Sequence, residues 1–255
     1  MKKLLLTVVT VLTVSSMWAV PGTIKSKKGT VRKGEIRWVV TSKSYEVKFG
    51  KAAEMIAEDD VESLEIEKPK NFDTLVQSVQ GGSGGSAVDG LAKITKDYKR
   101  LQWDKVAARY LVEAYLQMKN PQKAYDAARV VIEGDQSAAY KGDLAPAYWQ
   151  ALLALGQRER LENCLRKAVQ EASRPLSAEA LIMRGDIILK DGAEKPEAHK
   201  KALIDAYLKV ALMYNDADCL EPRIKAMERS AASLGAIGMS DQAQNMKANA
   251  ASLSK

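Results

Sequence analysis

The sequence predicts a mostly helical chain of paired helices, preceded by a small all-β module. Three observations lead there. Apolar residues alternate with period two only within residues 22–68. Beyond residue 69 they recur at the three-to-four spacing of amphipathic helices, in pairs separated by turn residues. Only 6% of the 255 residues are aromatic, and alanine and leucine abound after residue 86, a composition that favours helix over a strand-rich sandwich.

The first element is an expected export leader, residues 1–19. Met1-Lys2-Lys3 is a basic start, Leu4 to Val14 is an apolar run, and small residues follow up to Ala19, the expected last residue removed. Met17 is a poor residue three before that cut. The apolar run is too short to span a bilayer, so no membrane span is expected in the mature chain, which is placed in the periplasm or outside the cell. The net charge of +7 falls to +5 once two leader lysines are gone. That excess lacks the concentrated basic footprint of a nucleic-acid binder, so no nucleic-acid partner is expected.

The second element, residues 20–68, is built of strands. Ile36, Trp38 and Val40 share one face; so do Tyr45, Val47 and Phe49; Leu64 and Ile66 repeat the pattern. Ser42-Lys43-Ser44 makes a hairpin turn. Residues 22–51 carry nine Lys/Arg against two acids, and residues 52–67 carry seven acids and no base. Trp38 has core parity. Four or five strands in so few residues form a curled sheet or barrel with a marginal core, expected to lean on the helices that follow. The order Lys33-Gly34-Glu35-Ile36, two strands, then Ala57 to Ile66 resembles the small bacterial barrels of the Src-homology-three or Sm type. That resemblance implies a module for peptides, glycans or RNA, or else one that only packs.

The boundary is expected near Glu67-Lys68-Pro69, with helical repeats over 69–255. Gly81-Gly82-Ser83-Gly84-Gly85 has the G-x-S-x-G spacing of a hydrolase nucleophile elbow. An elbow needs a strand before it and a histidine base. Here Phe72, Leu75, Val76 and Val79 form a helical stripe before it, with Asn71 as the cap, and Ala87, Leu91, Ile94 and Tyr98 form another after it, through Lys99. The stretch therefore reads as a turn between two helices. The single histidine, His199, sits in a charged first helical turn.

Four further hairpins follow. Leu111, Val112 and Tyr115 lead to a turn at Lys119-Asn120, then Ala124, Ala128 and Val131. Tyr148 and Leu152 lead to Leu155-Gly156, then Leu161, Leu165 and Ala168. Gly185 and Ile188 lead to Gly192, then Ala202, Ala206 and Tyr207. Ala231 and Leu234 lead to Gly238, then Ala243 and Ala250. The turn anchors Lys119, Gly156, Gly192 and Gly238 lie 37, 36 and 46 residues apart. This pattern resembles the tetratricopeptide repeat, whose period is about 34 residues, and an irregular helical bundle is the structural alternative. The resemblance implies a helical-hairpin solenoid with a groove lined by the first (A) helix of each pair. On that basis the candidate partner-binding residues are Arg109, Glu113, Gln117, Gln150, Glu179, Asp186, Lys190, Lys225 and Glu228. The same residues equally suit a solvated helix face.

Nothing in the sequence assembles catalytic or metal-ligating chemistry. One histidine and two distant cysteines do not make a zinc site. Cys164 and Cys219 are either buried thiols or a bridge. Asn215-Asp216-Ala217-Asp218 begins like a calcium loop, but the later ligands are missing. No phosphate-binding loop occurs. No enzyme activity, cofactor or metal is expected. The expected function is a non-catalytic exported adaptor that binds a protein or peptide in the cell envelope. A second reading is a glycan- or peptidoglycan-binding protein that uses Arg32, Lys33 and Arg37 of the strand module.

Overall fold

The structure is a computed structural model that describes residues 19–254; the expected leader before Ala19 lies outside the described residues. The chain forms two compact units. One comprises the residues up to Glu67 together with Asp97–Gln102, and the other comprises Lys68–Lys96 and everything from Trp103 onward.

The first unit is a five-stranded antiparallel sheet: β1 (Val20–Ser26), β2 (Val31–Val39), β3 (Ser44–Phe49), β4 (Ala52–Ala57) and β5 (Val61–Ile66). The spatial order is β4-β3-β2-β1-β5. Alternation puts Val20, Ile24, Ile36, Trp38, Tyr45, Val47, Ile56 and Ile66 on the buried face. Trp38 is core, as its parity predicts, and its ring meets Tyr45 edge-on at 4.9 Å. Val40 differs from expectation: β2 ends at Val39, and Val40 is exposed in the turn that Lys43 closes with a left-handed φ of 47°.

The expected barrel is not closed. β4 and β5 are the two edges, and no pairing joins them among the described residues. The connection Asp97–Gln102 gives the physical reason. Gln102 presents its side-chain amide to the β5 edge, donating to the Leu64 carbonyl and accepting from the Ile66 N–H at 3.2 Å. One primary amide thus takes the backbone groups a closing strand would use. Leu101 is buried, the Arg100 guanidinium lies 4.7 Å from the Trp38 ring centre, and Arg100 also pairs with Glu58. Arg100 and Gln102 have positive φ (58° and 70°), which these contacts hold in place.

The second unit is helical. It contains α1 (Phe72–Gln80), α2 (Val88–Asp97), α3 (Trp103–Gln117), α4 (Pro121–Ile132), α5 (Leu144–Ala154), α6 (Arg158–Glu171) and α7 (Arg174–Lys190). Then come α8 (Pro196–Ala202), a π-helical turn (Leu203–Tyr207), α9 (Leu208–Met213), α10 (Leu220–Ala236) and α11 (Ser240–Leu253). Asn120 caps α4, its side-chain oxygen accepting from the Lys123 N–H at 3.1 Å. Asn71 occupies the cap position of α1 but makes no such bond.

Four hairpin turns share one geometry. At Gly82, Lys119, Gly156 and Gly238 the backbone enters the left-handed region (φ 81°, 55°, 69° and 80°). The next residue's N–H then reaches back five residues: Ser83 to Ser78, Asn120 to Tyr115, Gln157 to Leu152, and Met239 to Leu234, at 2.8–3.0 Å. This is the Schellman closure of a helix C-terminus. The glycine-serine stretch is therefore the same turn in the front hairpin, and Ser83 is its exposed second residue, preceded by a helix. Gly192 departs from the pattern: that turn is longer and lacks a left-handed anchor among the described residues.

Packing repeats from pair to pair. α3 packs on α4 and α5; α5 packs on α6 and α7; α7 packs on α8, α9 and α10; α10 packs on α11. Each A helix thus touches its own second (B) helix and the next A helix, which is how a hairpin solenoid buries both faces of each pair. α1 continues the row onto α3. Small residues set the spacing. A Cβ on Gly84 would lie 2.8 Å from Ala114 Cα, and one on Gly185 would lie 2.4 Å from Tyr207 Cε1. Apolar residues of successive pairs form one cluster from Ala108 through Ala180, and the last pairs form another around Tyr207, Ala226 and Ala250.

Candidate functional site

The A helices α3, α5, α7 and α10 carry all nine predicted partner residues. They do not all stand ready for a ligand. On α3, Arg109 and Glu113 pair with each other at 2.9 Å. Burial works against the Arg109 charge, yet the Glu113 hydrogen bond and charge raise its pKa above the ordinary value. Gln117 is engaged by the front turn: its amide donates to the Val79 carbonyl at 2.7 Å and accepts from the Gly84 N–H at 3.1 Å. Gln150, Lys190 and Glu228 are exposed.

α7 and α10 bring the remaining residues together. Glu179 meets Lys225 at 3.1 Å, and Asp186 meets Arg229 at 3.1 Å. Asp186 also accepts from the hydroxyl of Tyr207 at 2.7 Å. Burial pushes the Tyr207 hydroxyl far above the usual phenol range, and the Asp186 bond adds to it. The tyrosine therefore stays a neutral donor. Here α7 supplies the acids and α10 the bases, so the A row has mixed sign. Arg229 was missing from the predicted set. Its signal was present, since it stands four residues, one helical turn, after Lys225 and so shares that face of α10.

On the sheet, two of the three predicted basic residues are spoken for. Arg32 pairs with Glu54 at 2.6 Å, and Arg37 pairs with Glu46. Lys33, with Lys48 and Phe49, lines a shallow recess of about 500 Å³ around Gly22 and Gly34.

Cys164 and Cys219 are buried and unbridged. The acidic turn puts ligand atoms of Asp216, Asp218 and Cys219 within 4.8 Å of one another, and Asp216 is ion-paired with Arg174. His199 bonds the Ala193 carbonyl of its own loop through Nε2, at 2.8 Å. No helix among the described residues is long and apolar enough to cross a membrane.

No protein-family signature matches the chain, and no curated protein matches it either. Two solved structures are similar to it, both of a Podosopora anserina putative kinesin light chain with nearly identical TPR-like repeats. The Q17M form is 15% identical, covering 72% of this chain and 92% of its own, with a TM-score of 0.49. The other is 14% identical, covering 74% and 97%, with a TM-score of 0.47.

Proposed function

We propose that this chain is an exported, non-catalytic adaptor that holds an extended protein or peptide segment along its A-helix row in the cell envelope. The observation that carries the proposal is the unbroken contact of α3, α5, α7 and α10, each with the next. Such a row offers a continuous surface at regular spacing, and a partner in extended conformation matches it. Gln150, Lys190 and Glu228 are the exposed contacts. Glu179, Asp186 and Lys225, already bridged to α7 or α10 neighbours, set the electrostatic pattern. The mixed sign favours a partner bearing both charges. The basic leader and its apolar run motivate export.

Photo-crosslinking in intact cells tests this. A benzophenone amino acid at Gln150, Lys190 or Glu228 is expected to give one discrete adduct. The same probe at Lys209 or Lys247, on B helices, is expected to give none. Adducts absent from all three A-helix sites would overturn the proposal, as would an uncleaved chain recovered in the cytosol.

A second reading, glycan binding by the sheet, draws on the recess at Lys33 and Lys48. Reversing both charges is expected to abolish binding to purified cell-wall material under that reading, and unchanged binding would leave the sheet a packing module.

A further inference from the structure

The B helices do not pack as the A helices do. α4 and α6 both lie on α5, which is left at the bottom of the space between them. That space is a cleft of about 550 Å³. Tyr148 rises from α5 to form its floor and stacks on Tyr125 of α4, with ring centres 5.9 Å apart. Tyr140, from the loop before α5, forms one wall.

Cations ring these tyrosines. Arg129 and Arg160 lie 5.9 and 5.6 Å from the Tyr125 ring centre, and Lys167 lies 5.2 Å from that of Tyr140. Arg129 is neutralised by Glu133 at 2.5 Å. Arg160 donates to the neutral Tyr125 hydroxyl. Lys167 sits on a ring face and also lies near Glu171, which Lys141 pairs at 3.2 Å beside Tyr140. With that pair counted, four cations stand against two carboxylates, Glu133 and Glu171, an excess of two positive charges. Burial pushes the Tyr148 hydroxyl up to about 12 and raises the Cys164 thiol, so neither adds negative charge. A net positive excess in a recess with an aromatic floor focuses a positive potential into it.

We propose that the cleft between α4 and α6 binds an acidic peptide segment, with carboxylates on Arg160 and Lys167 and aliphatic stems against the partly exposed Ile132, Ala139 and Tyr140 above the Tyr125–Tyr148 floor. A lone phosphate would fill a small part of the volume and leave the aromatic surface unused. Stacked bases would need open ring faces, and those of Tyr125 are already covered by Tyr148, Arg129 and Arg160. An aspartate- or glutamate-bearing segment uses both the charge and the apolar wall. This site lies on the B side and is independent of the A-row adaptor proposal.

The test is fluorescence anisotropy with the full mature chain at 150 mM salt. The probe is an end-blocked, fluorescein-labelled hexapeptide of alternating Glu and Leu. Controls are its Gln-for-Glu counterpart, a uridine oligonucleotide and inorganic phosphate. The Glu peptide is expected to bind, and the Gln peptide to bind at least tenfold more weakly. R160E/K167E is expected to weaken binding by about two orders of magnitude, roughly tenfold for each charge-assisted contact. R160Q/K167Q, a milder pair should the reversal disturb folding, is expected to weaken it in the same direction. K247E, at an exposed position on α11, is expected to leave it unchanged. Ring signals of Tyr125, Tyr140 and Tyr148 are expected to shift on binding. Equal binding by both double variants, loss in K247E instead, tighter binding of the oligonucleotide, phosphate binding as tight as the peptide's, or no binding of the Glu peptide would each overturn the proposal.

Discussion

Gly185 is expected to be intolerant of even one methyl group. A Cβ there would lie 2.4, 2.6 and 3.0 Å from Cε1, Cζ and Cδ1 of Tyr207. The ring is fully buried, and its hydroxyl is bonded to Asp186 at 2.7 Å, so it has nowhere to swing. Replacing glycine by alanine in a helix interior gains about 1 kcal/mol of propensity. Overpacking against a fixed ring costs up to about 3 kcal/mol. The net for Gly185→Ala is a loss of about 2 kcal/mol, or roughly 4–8 °C in Tm for a unit of this size. The assay is urea and thermal unfolding in two backgrounds. With Tyr207→Leu in place the ring is gone, and Gly185→Ala is expected to stabilise by about 1 kcal/mol, a coupling of about 3 kcal/mol between the two positions. Equal destabilisation in both backgrounds would refute the proposed contact. So would a more stable Gly185→Ala in the otherwise unchanged chain.

The turns and charges give further outcomes. Lys119 holds a left-handed φ of 55° where the equivalent turns use glycine, so Lys119→Gly is expected to stabilise by up to about 1 kcal/mol, and Gly156→Ala to destabilise by about 1 kcal/mol, in urea titrations. Gln117→Ala removes both bonds to the front turn and is expected to destabilise by about 2 kcal/mol, with faster amide exchange at Gly84 than elsewhere; uniform exchange would speak against the clamp. Burial opposes ionisation of Asp135, but hydrogen bonds from Lys105 and Ser137 hold its carboxyl down at about 2. A depressed folded pKa contributes stability above the unfolded value near 3.9, which is lost as pH falls toward 2. Solvent screening limits the amount to about 1 kcal/mol, and Asp135→Asn is expected to remove that share of the acid dependence in unfolding measured between pH 5 and 2.

The elements were legible because each has its own period. Trp38 and Ile36 reveal a strand face, Leu111 and Val112 a helix stripe, and Gly156 and Gly238 the points where the chain reverses. Ser83 was legible as a turn residue because its flanks are helical. What escaped the sequence depends on partners far along the chain. Gln102 completes a strand edge with a side chain, so no alternation announces it, and the helix expected through Lys99 stops at Asp97 to deliver it. Glu179 and Lys225 are 46 residues apart and look like free groove charges until α7 and α10 are stacked. Gln117 likewise looks like a binding residue until Gly84 closes on it. The Tyr125–Tyr148 cleft needs three helices before it exists.

The most direct test of the stacked-hairpin account is a set of nuclear Overhauser contacts in isotope-labelled protein. The account predicts cross-peaks between the Gly185 α-protons and the Tyr207 ring, between Gly84 and the Ala114 methyl, and between the rings of Tyr125 and Tyr148. These contacts recur at successive pairs along the chain. Their absence, with contacts instead joining the first hairpin directly to the last, would contradict it.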